Sequence, residues 1–243
     1  VASVTRLHEF LSDRLSDYAW RILIADNGST DTTFQVAESL SKQHARVECM
    51  HVEQRGRGRA LKMAWSESDA DIVCYTDVDL STDLDALPLL VEAVNCGGYE
   101  VATGSRLMRR SSVMGRSLVR ELVSRTYSLM FRAMFLVGFR DAQCGFKALS
   151  RRAVQDVVPL VRDTGWFFDT ELLVLAEKNG YHVKEVPVKW TDDPDSRVRI
   201  VSTAYEDMKG LLRLRFGGLR EASKVLAPQR CRGANDERPV RPG

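Results

Sequence analysis

Apolar positions recur at helical spacing from the first residues, with Val4, Leu7, Leu11, Leu15 and Tyr18 on one face. Arg21-Ile-Leu-Ile-Ala25 then reads as a short strand delivering the turn-rich loop Asp26-Asn-Gly-Ser-Thr-Asp31. Ser29 or Thr30 is predicted to cap a helix from about 31 to 42. Val47 to Val52 reads as the next strand, 58–68 as helix, Ile72 to Thr76 as strand, 84–95 as helix and Val101 to Gly104 as strand. A basic amphipathic helix is predicted over about 115–137. Its apolar side carries Leu118, Leu122, Leu129 and Ala133, and Arg116, Arg120, Arg125 and Arg132 lie nearer the polar side. Helical signals return at 151–158, 169–179 and 202–215, with a strand over 183–190. Strands alternating with helices predict an α/β domain with a mainly parallel sheet flanked by helices, and its ligand beyond the carboxyl ends of the strands.

From Gly217 the periodicity fades, dividing the chain into a domain over 1–217 and a loose basic tail over 218–243. Net charge is +2 overall, but residues 213–243 alone carry +5, and seven Arg stand between 106 and 132. Such clusters suit phosphates or anionic membranes, while the near-neutral total gives no argument for nucleic acid. Five Cys without a CxxC pair support neither a disulfide framework nor a zinc site, and they fit a reducing cytosol. No run approaches a membrane span, because Arg132 interrupts the most apolar stretch.

Three loops carry candidate chemistry. Ile72-Val-Cys-Tyr-Thr-Asp77-Val-Asp79 ends a strand in two carboxylates that can share a hard divalent cation with substrate phosphates, or simply cap the next helix. In 26–31, Asp26 can accept hydrogen bonds from a base or ribose and Gly28 allows close approach, although an Asx turn explains the same composition. Gln54-Arg-Gly-Arg-Gly-Arg59 opens a helix with cationic, flexible chain suited to a diphosphate, yet it matches neither GxxxxGK[ST] nor GxGxxG. His8, His44, His51 and His182 lack metal-ligand spacing and read as structural. Trp166 and Phe167 read as core.

The order of these motifs, continued by Gly104-Ser-Arg106, resembles family 2 glycosyltransferases of the GT-A nucleotide-diphospho-sugar transferase fold. Arg140-Asp-Ala-Gln-Cys-Gly-Phe-Lys147, Trp166-Phe-Phe-Asp-Thr-Glu-Leu-Leu173 and Glu185-Val-Pro-Val-Lys-Trp190 look like the polyprenyl-phosphate branch. Within it, dolichyl-phosphate β-glucosyltransferases are most similar and dolichyl-phosphate mannosyltransferases next. The resemblance spans roughly residues 20–215. It implies a nucleotide-sugar donor (UDP-glucose, then GDP-mannose), Mg²⁺ or Mn²⁺, and inverting hexose transfer to polyprenyl phosphate by a peripheral protein at a cytoplasmic membrane face.

Matched by motif, Asp26, Gly28 and Arg59 would serve the donor, and Asp77 and Asp79 would hold the metal on its diphosphate, Asp79 counting also among the catalytic groups. Arg106 and Arg197 would neutralise donor or acceptor phosphate. Asp141, with Gly145, lies in the acceptor-side loop, and Asp169 and Glu171 form the next acidic motif, Asp141 and Asp169 being the other catalytic candidates. The family's first strand and its Pro-x-Tyr-Asn-Glu-like loop precede the helix in which this chain opens, so the expectation is a sheet short of one strand. An inactive nucleotide-sugar-binding relative is the alternative on that account. A phosphatase of the haloacid-dehalogenase type also begins with a strand and DxD, but its later acidic pair with lysine is not found.

Overall fold

The computed structural model describes residues 1–192 and 200–219. Arg197 and most of the predicted basic tail lie outside the described residues. The expected alternation is present: α1 Ala2–Arg14, β1 Ile22–Asn27, α2 Thr33–Gln43, β2 Val47–Val52, α3 Arg57–Glu67, β3 Ile72–Thr76, α4 Leu87–Asn95 and β4 Val101–Ser105. There follow β5 Ser112–Met114, α5 Leu118–Phe135, β6 Phe146–Ser150, α6 Arg151–Val157, α7 Phe168–Lys178, β7 Val183–Pro187, β8 Lys189–Thr191 and α8 Ile200–Arg213.

The main sheet has the order β3-β6-β4-β7, with β6 antiparallel to both its neighbours and β4 parallel to β7. β6 and the short β5 are the strands that the hydrophobic pattern did not predict, β6 because Lys147 interrupts its apolar run. β1 and β2 pair in parallel as a separate two-stranded sheet, and β5 pairs with β8 in a third. Among the described residues β1 and β3 each have a single strand partner. The strand predicted over 183–190 therefore divides, β7 joining the main sheet and β8 leaving it after the buried Val188. The predicted caps Ser29 and Thr30 do not serve α2; the Thr33 N–H donates to Asp31 at 3.0 Å instead.

Two cores cover the two faces of the main sheet, and strand alternation assigns residues between them. Phe146 and Ala148 pack towards α1 and α4, whereas Leu149 faces α5, α6 and α7. Lys147 shares the Leu149 side by the same period, and so do Val73 and Tyr75 on β3, where Tyr75 stands directly opposite Lys147 in register. α7 is buried without interruption from Phe168 to Ala176, acidic residues included. Two charged side chains are thus carried into an apolar interior, where they need partners. α5 packs through Phe131 and Phe135, leaving Leu118, Val119, Leu122, Val123 and Leu129 exposed.

α8 docks through Leu211 and through Asp207, whose carboxylate accepts a 2.6 Å hydrogen bond from Gln143 Nε2 while its buried Oδ1 has no partner among the described residues. Burial, with Asp163 and Asp169 nearby, pushes this carboxyl up to about 6. Folding then favours the protonated form, so its contribution to stability falls as pH rises from about 4 to about 6 and the deficit persists at neutral pH. Asp207→Asn is expected to raise stability at pH 7 by on the order of 1–2 kcal/mol and to lose that gain near pH 4, read by thermal melts at both values.

Candidate active site

The carboxyl ends of β1 and β3 carry the two predicted loops. At β3, alternation puts Val73, Tyr75 and Asp77 on the face towards α7, so Asp77 emerges above a buried charge cluster. Its centre is Asp169, fully buried on α7. Lys147 Nζ donates to Asp169 Oδ1 at 2.8 Å and to the Cys144 carbonyl at 2.6 Å. Arg57 Nη1 pairs with Asp169 Oδ2, and the Tyr75 hydroxyl lies 3.3 Å from Oδ1. Burial alone would raise the Asp169 pKa, but Arg57 and Lys147 outweigh it and hold the group below the usual carboxylate range. A carboxylate so saturated with donors acts as a counterion and not as a base.

Arg57 extends the cluster to the surface. Its Nη2 reaches Asp77 Oδ1 at 3.2 Å and also hydrogen-bonds the Tyr75 hydroxyl. The guanidinium lies 5.1 Å from the Tyr75 ring centre and 5.0 Å from that of Trp166, so Trp166 is a half-exposed shelf and not the core residue expected. Phe167 is buried, as read. Arg59, the arginine singled out from the motif, turns instead to Gln54. Three arginines alternating with glycines look alike in sequence, and only helix phase separates them. Lys147 could have been noticed as a lone cation within an apolar run.

The Asp77 carboxylate, 48% exposed, is raised by burial in its cleft against the opposing pull of Arg57. A Cβ at Gly145 would collide with its Oδ2, so a side chain where the 140–147 loop crosses the β3 end would displace the Asp77 carboxylate. Asp79 is exposed and accepts from the Ser81 N–H at 3.0 Å. Leu80 adopts φ +51 to close this turn, a left-handed conformation that costs about 1–2 kcal/mol. Among the described residues no three His, Cys, Asp or Glu side chains converge on a common point. Two carboxylates at an open strand end nevertheless fit Mg²⁺ or Mn²⁺, which keep several waters and take their remaining ligands from phosphates.

On the separate sheet, Asp26 is buried and stands opposite His51 in register. Its Oδ2 lies 2.6 Å from His51 Nδ1 and accepts from the Ser29 N–H at 3.4 Å, whereas Oδ1 is buried without a partner among the described residues. Burial opposes ionisation, but the Ser29 and His51 contacts prevail and lower its pKa. His51, read as structural from spacing alone, belongs to this site. Gly28 takes φ +65 with its Cβ position 3.0 Å from the Glu53 carbonyl, so any side chain in this turn would be strained.

Arg106 forms a buried fork on Asp141, Nε to Oδ2 at 2.8 Å and Nη2 to Oδ1 at 2.9 Å, and the Arg106 N–H adds a third bond at 2.9 Å. Its charge is therefore already matched. Arg106 and Arg116 both stack on Trp190, at 5.6 and 5.8 Å. Burial, followed by repulsion from Arg106, lowers the Arg116 pKa. Arg120 pairs with Asp192 at 2.6 Å, completing an arginine-rich rim. Glu171 has a separate duty: it receives both Arg213 amines, at 2.9 and 2.8 Å, and the Asp163 N–H at 2.8 Å, tying α8 to α7.

The mixed α/β sheet with an antiparallel β6 and a carboxylate pair at the carboxyl end of β3 is the architecture of the GT-A fold. Residues 2–158 match Glycosyl transferase family 2, and the chain belongs to that family. It is 39% identical over 194 residues to the glycosyltransferase AglD of Haloferax volcanii, covering 79% of this chain and 31% of that protein. It is 24% identical over 218 residues to the dolichyl-phosphate beta-glucosyltransferase of Saccharomyces cerevisiae (82% and 65%), and 27% over 191 residues to that of Homo sapiens (74% and 59%). The chain thus spans from about a third to two thirds of the length of these relatives. Among solved structures, glucosyl-3-phosphoglycerate synthase from Mycobacterium tuberculosis with Mn²⁺, UDP-glucose and glycerol 3-phosphate superposes with a TM-score of 0.57 at 20% identity, covering 80% of this chain and 68% of that one. At that identity the likeness speaks for the fold.

Asp169→Asn leaves Lys147 and Arg57 facing a neutral group, and breaking a buried pair costs roughly 3–5 kcal/mol. The expected loss is at the lower end of that range because the amide keeps the shape; a lowered urea midpoint with unchanged slope would register it.

Proposed function

We propose that this chain transfers a hexose, glucose first, from a nucleotide-diphosphate sugar to polyprenyl phosphate with inversion. The observation that carries the reading is the Asp77–Val78–Asp79 turn set against Arg57 and abutting Gly145. The names of the relatives, dolichyl-phosphate beta-glucosyltransferases among them, support the substrates. Asp26, with an unpartnered buried oxygen, suits hydrogen bonding to a base N–H, and Gly28 lets the nucleotide approach the backbone. Asp77 and Asp79 would hold Mg²⁺ or Mn²⁺, which supplies positive charge to the leaving diphosphate.

The acceptor phosphate is already an anion near neutral pH, since its second pKa is about 6. One of its oxygens forms a bond to the sugar C1 as the bond from C1 to the diphosphate oxygen breaks on the opposite face. No proton need move, which agrees with Asp169 serving as a counterion. Arg116 on Trp190 is proposed to meet the lipid phosphate and Arg197 of the Asp-Ser-Arg segment to join it, while Arg106 and Arg120, already paired with Asp141 and Asp192, line the same rim.

Leu118, Leu122 and Leu129 make an exposed apolar stripe on α5 with the exposed Arg125 among them, a composition that suits the headgroup layer of an anionic membrane. On α8 and the turn after it, Tyr205, Met208, Leu212 and Phe216 add a second exposed stripe. No helix among the described residues is long and apolar enough to cross a membrane. The exposed stripes support a membrane surface as the proposed site of action, and the cytoplasmic face is proposed from the family resemblance alone.

The test offers labelled UDP-glucose or GDP-mannose with polyprenyl phosphate and Mn²⁺ and counts label in the organic phase. Lipid-borne glucose is expected; transfer of mannose alone would change the donor, and no transfer from either would overturn the reading in favour of a binding relative. Asp79→Asn is expected to abolish transfer while the far-UV spectrum stays native. Replacing Leu118, Leu122 and Leu129 together by Ser should cut sedimentation with anionic vesicles severalfold yet spare transfer to a short, water-soluble prenyl phosphate.

A further inference from the structure

Arg57 contacts both the surface carboxylate Asp77 and the buried carboxylate Asp169. Two carboxylates and two cations, Arg57 and Lys147, balance one another in this cluster before any ion arrives. Lys147 is wholly buried and held by Asp169 and the Cys144 carbonyl, so it has no path to the surface. Arg57 differs. Its side chain is 16% exposed, ends at the cleft, and rests on Trp166, which is itself half exposed. Of the two cations, only Arg57 both touches a proposed metal ligand and lies at the cleft surface.

Resting on the transferase reading above, we infer that Arg57 is an internal counter-cation that competes with the divalent ion for Asp77. A divalent cation arriving alone on Asp77 and Asp79 meets a guanidinium already hydrogen-bonded to one of its ligands, and like charges at such separations repel strongly in a cleft. A diphosphate changes the balance. Its negative charge gives the guanidinium a second partner while Asp169 and the aromatic pair keep hold of its other side. Metal binding is thereby weakened in the absence of donor and strengthened by it, and Arg57 is a positioning residue for Asp77.

This inference predicts an affinity change opposite in sign to the one a scaffold residue would give. Mn²⁺ binding to the full chain, without nucleotide, would be followed by the paramagnetic resonance of the free ion. Arg57→Gln removes the charge and keeps hydrogen-bonding capacity; it is expected to bind Mn²⁺ about tenfold more tightly than the unaltered protein. Arg57→Lys retains a cation and is expected to stay near the unaltered value. Trp166→Leu removes the exposed shelf without touching a ligand and is expected to tighten binding about two- to threefold, which keeps the test decisive if R57Q fails to fold. Unchanged or weaker binding in R57Q and W166L, R57K behaving like R57Q, or no measurable binding in any form would overturn the inference. Sugar transfer by the unaltered protein reports separately on the transferase reading, so either can fail while the other stands.

Discussion

The hydrogen-bonded charge cluster on Asp169 is the constraint around which the domain is arranged. An isolated carboxylate at this depth is untenable, and so is an isolated lysine. Each is tolerated because one strand and two helices converge on one point: β6 brings Lys147, α7 brings Asp169, and the start of α3 brings Arg57. Tyr75 seals the contact from β3. Registry between the main sheet and α7 is therefore fixed by electrostatics as well as by packing, and the surface carboxylate Asp77 inherits its position from that buried arrangement.

A second consequence is the division of labour among acidic residues that look alike. Asp169 and Glu171 are two apart on the same buried helix, yet one faces the site and the other clamps α8 through Arg213. Asp141 neutralises Arg106, whereas Asp207 lacks a full set of partners and stays close to protonation near neutral pH. Environment assigns these roles, since the side chains are chemically nearly interchangeable.

Much of the fold was legible in the chain because its signals are local. The Ile72–Thr76 strand, the turn after Ala25 and the long basic helix follow from alternation, turn chemistry and helical spacing. β6 escaped because its pairing is non-local: nothing adjacent to Phe146-Lys-Ala-Leu-Ser reveals that Lys147 will meet Asp169 and so make a lysine tolerable inside a sheet. Arg57 and Arg59 were indistinguishable for the same reason, since their difference lies in what α7 presents across the cleft. His51 reaches Asp26 through the register of β1 on β2, which spacing along the chain cannot convey. The apolar stripe on α5 was visible in the sequence, but its outward direction depends on Phe131 and Phe135 claiming the core.

The separate hydrogen bonding of the β1–β2 pair bears on how the molecule responds to a ligand. Asp26 stands on that pair and Asp77 on the four-stranded sheet, and no ladder of backbone bonds joins the two among the described residues. They are coupled through the apolar core beneath α1 and α4 and through the Gly56 N–H bond to Asn27 Oδ1 at 2.7 Å, which ties the end of β1 to the segment bearing Arg57. A molecule long enough to touch both carboxylates would span units able to open with different free energies, so part of its binding energy would be used in bringing them into alignment. Such a ligand acts as a cross-brace. The largest gain in amide protection on binding would then belong to β1 and β2 and not to the charge cluster, which is rigid beforehand.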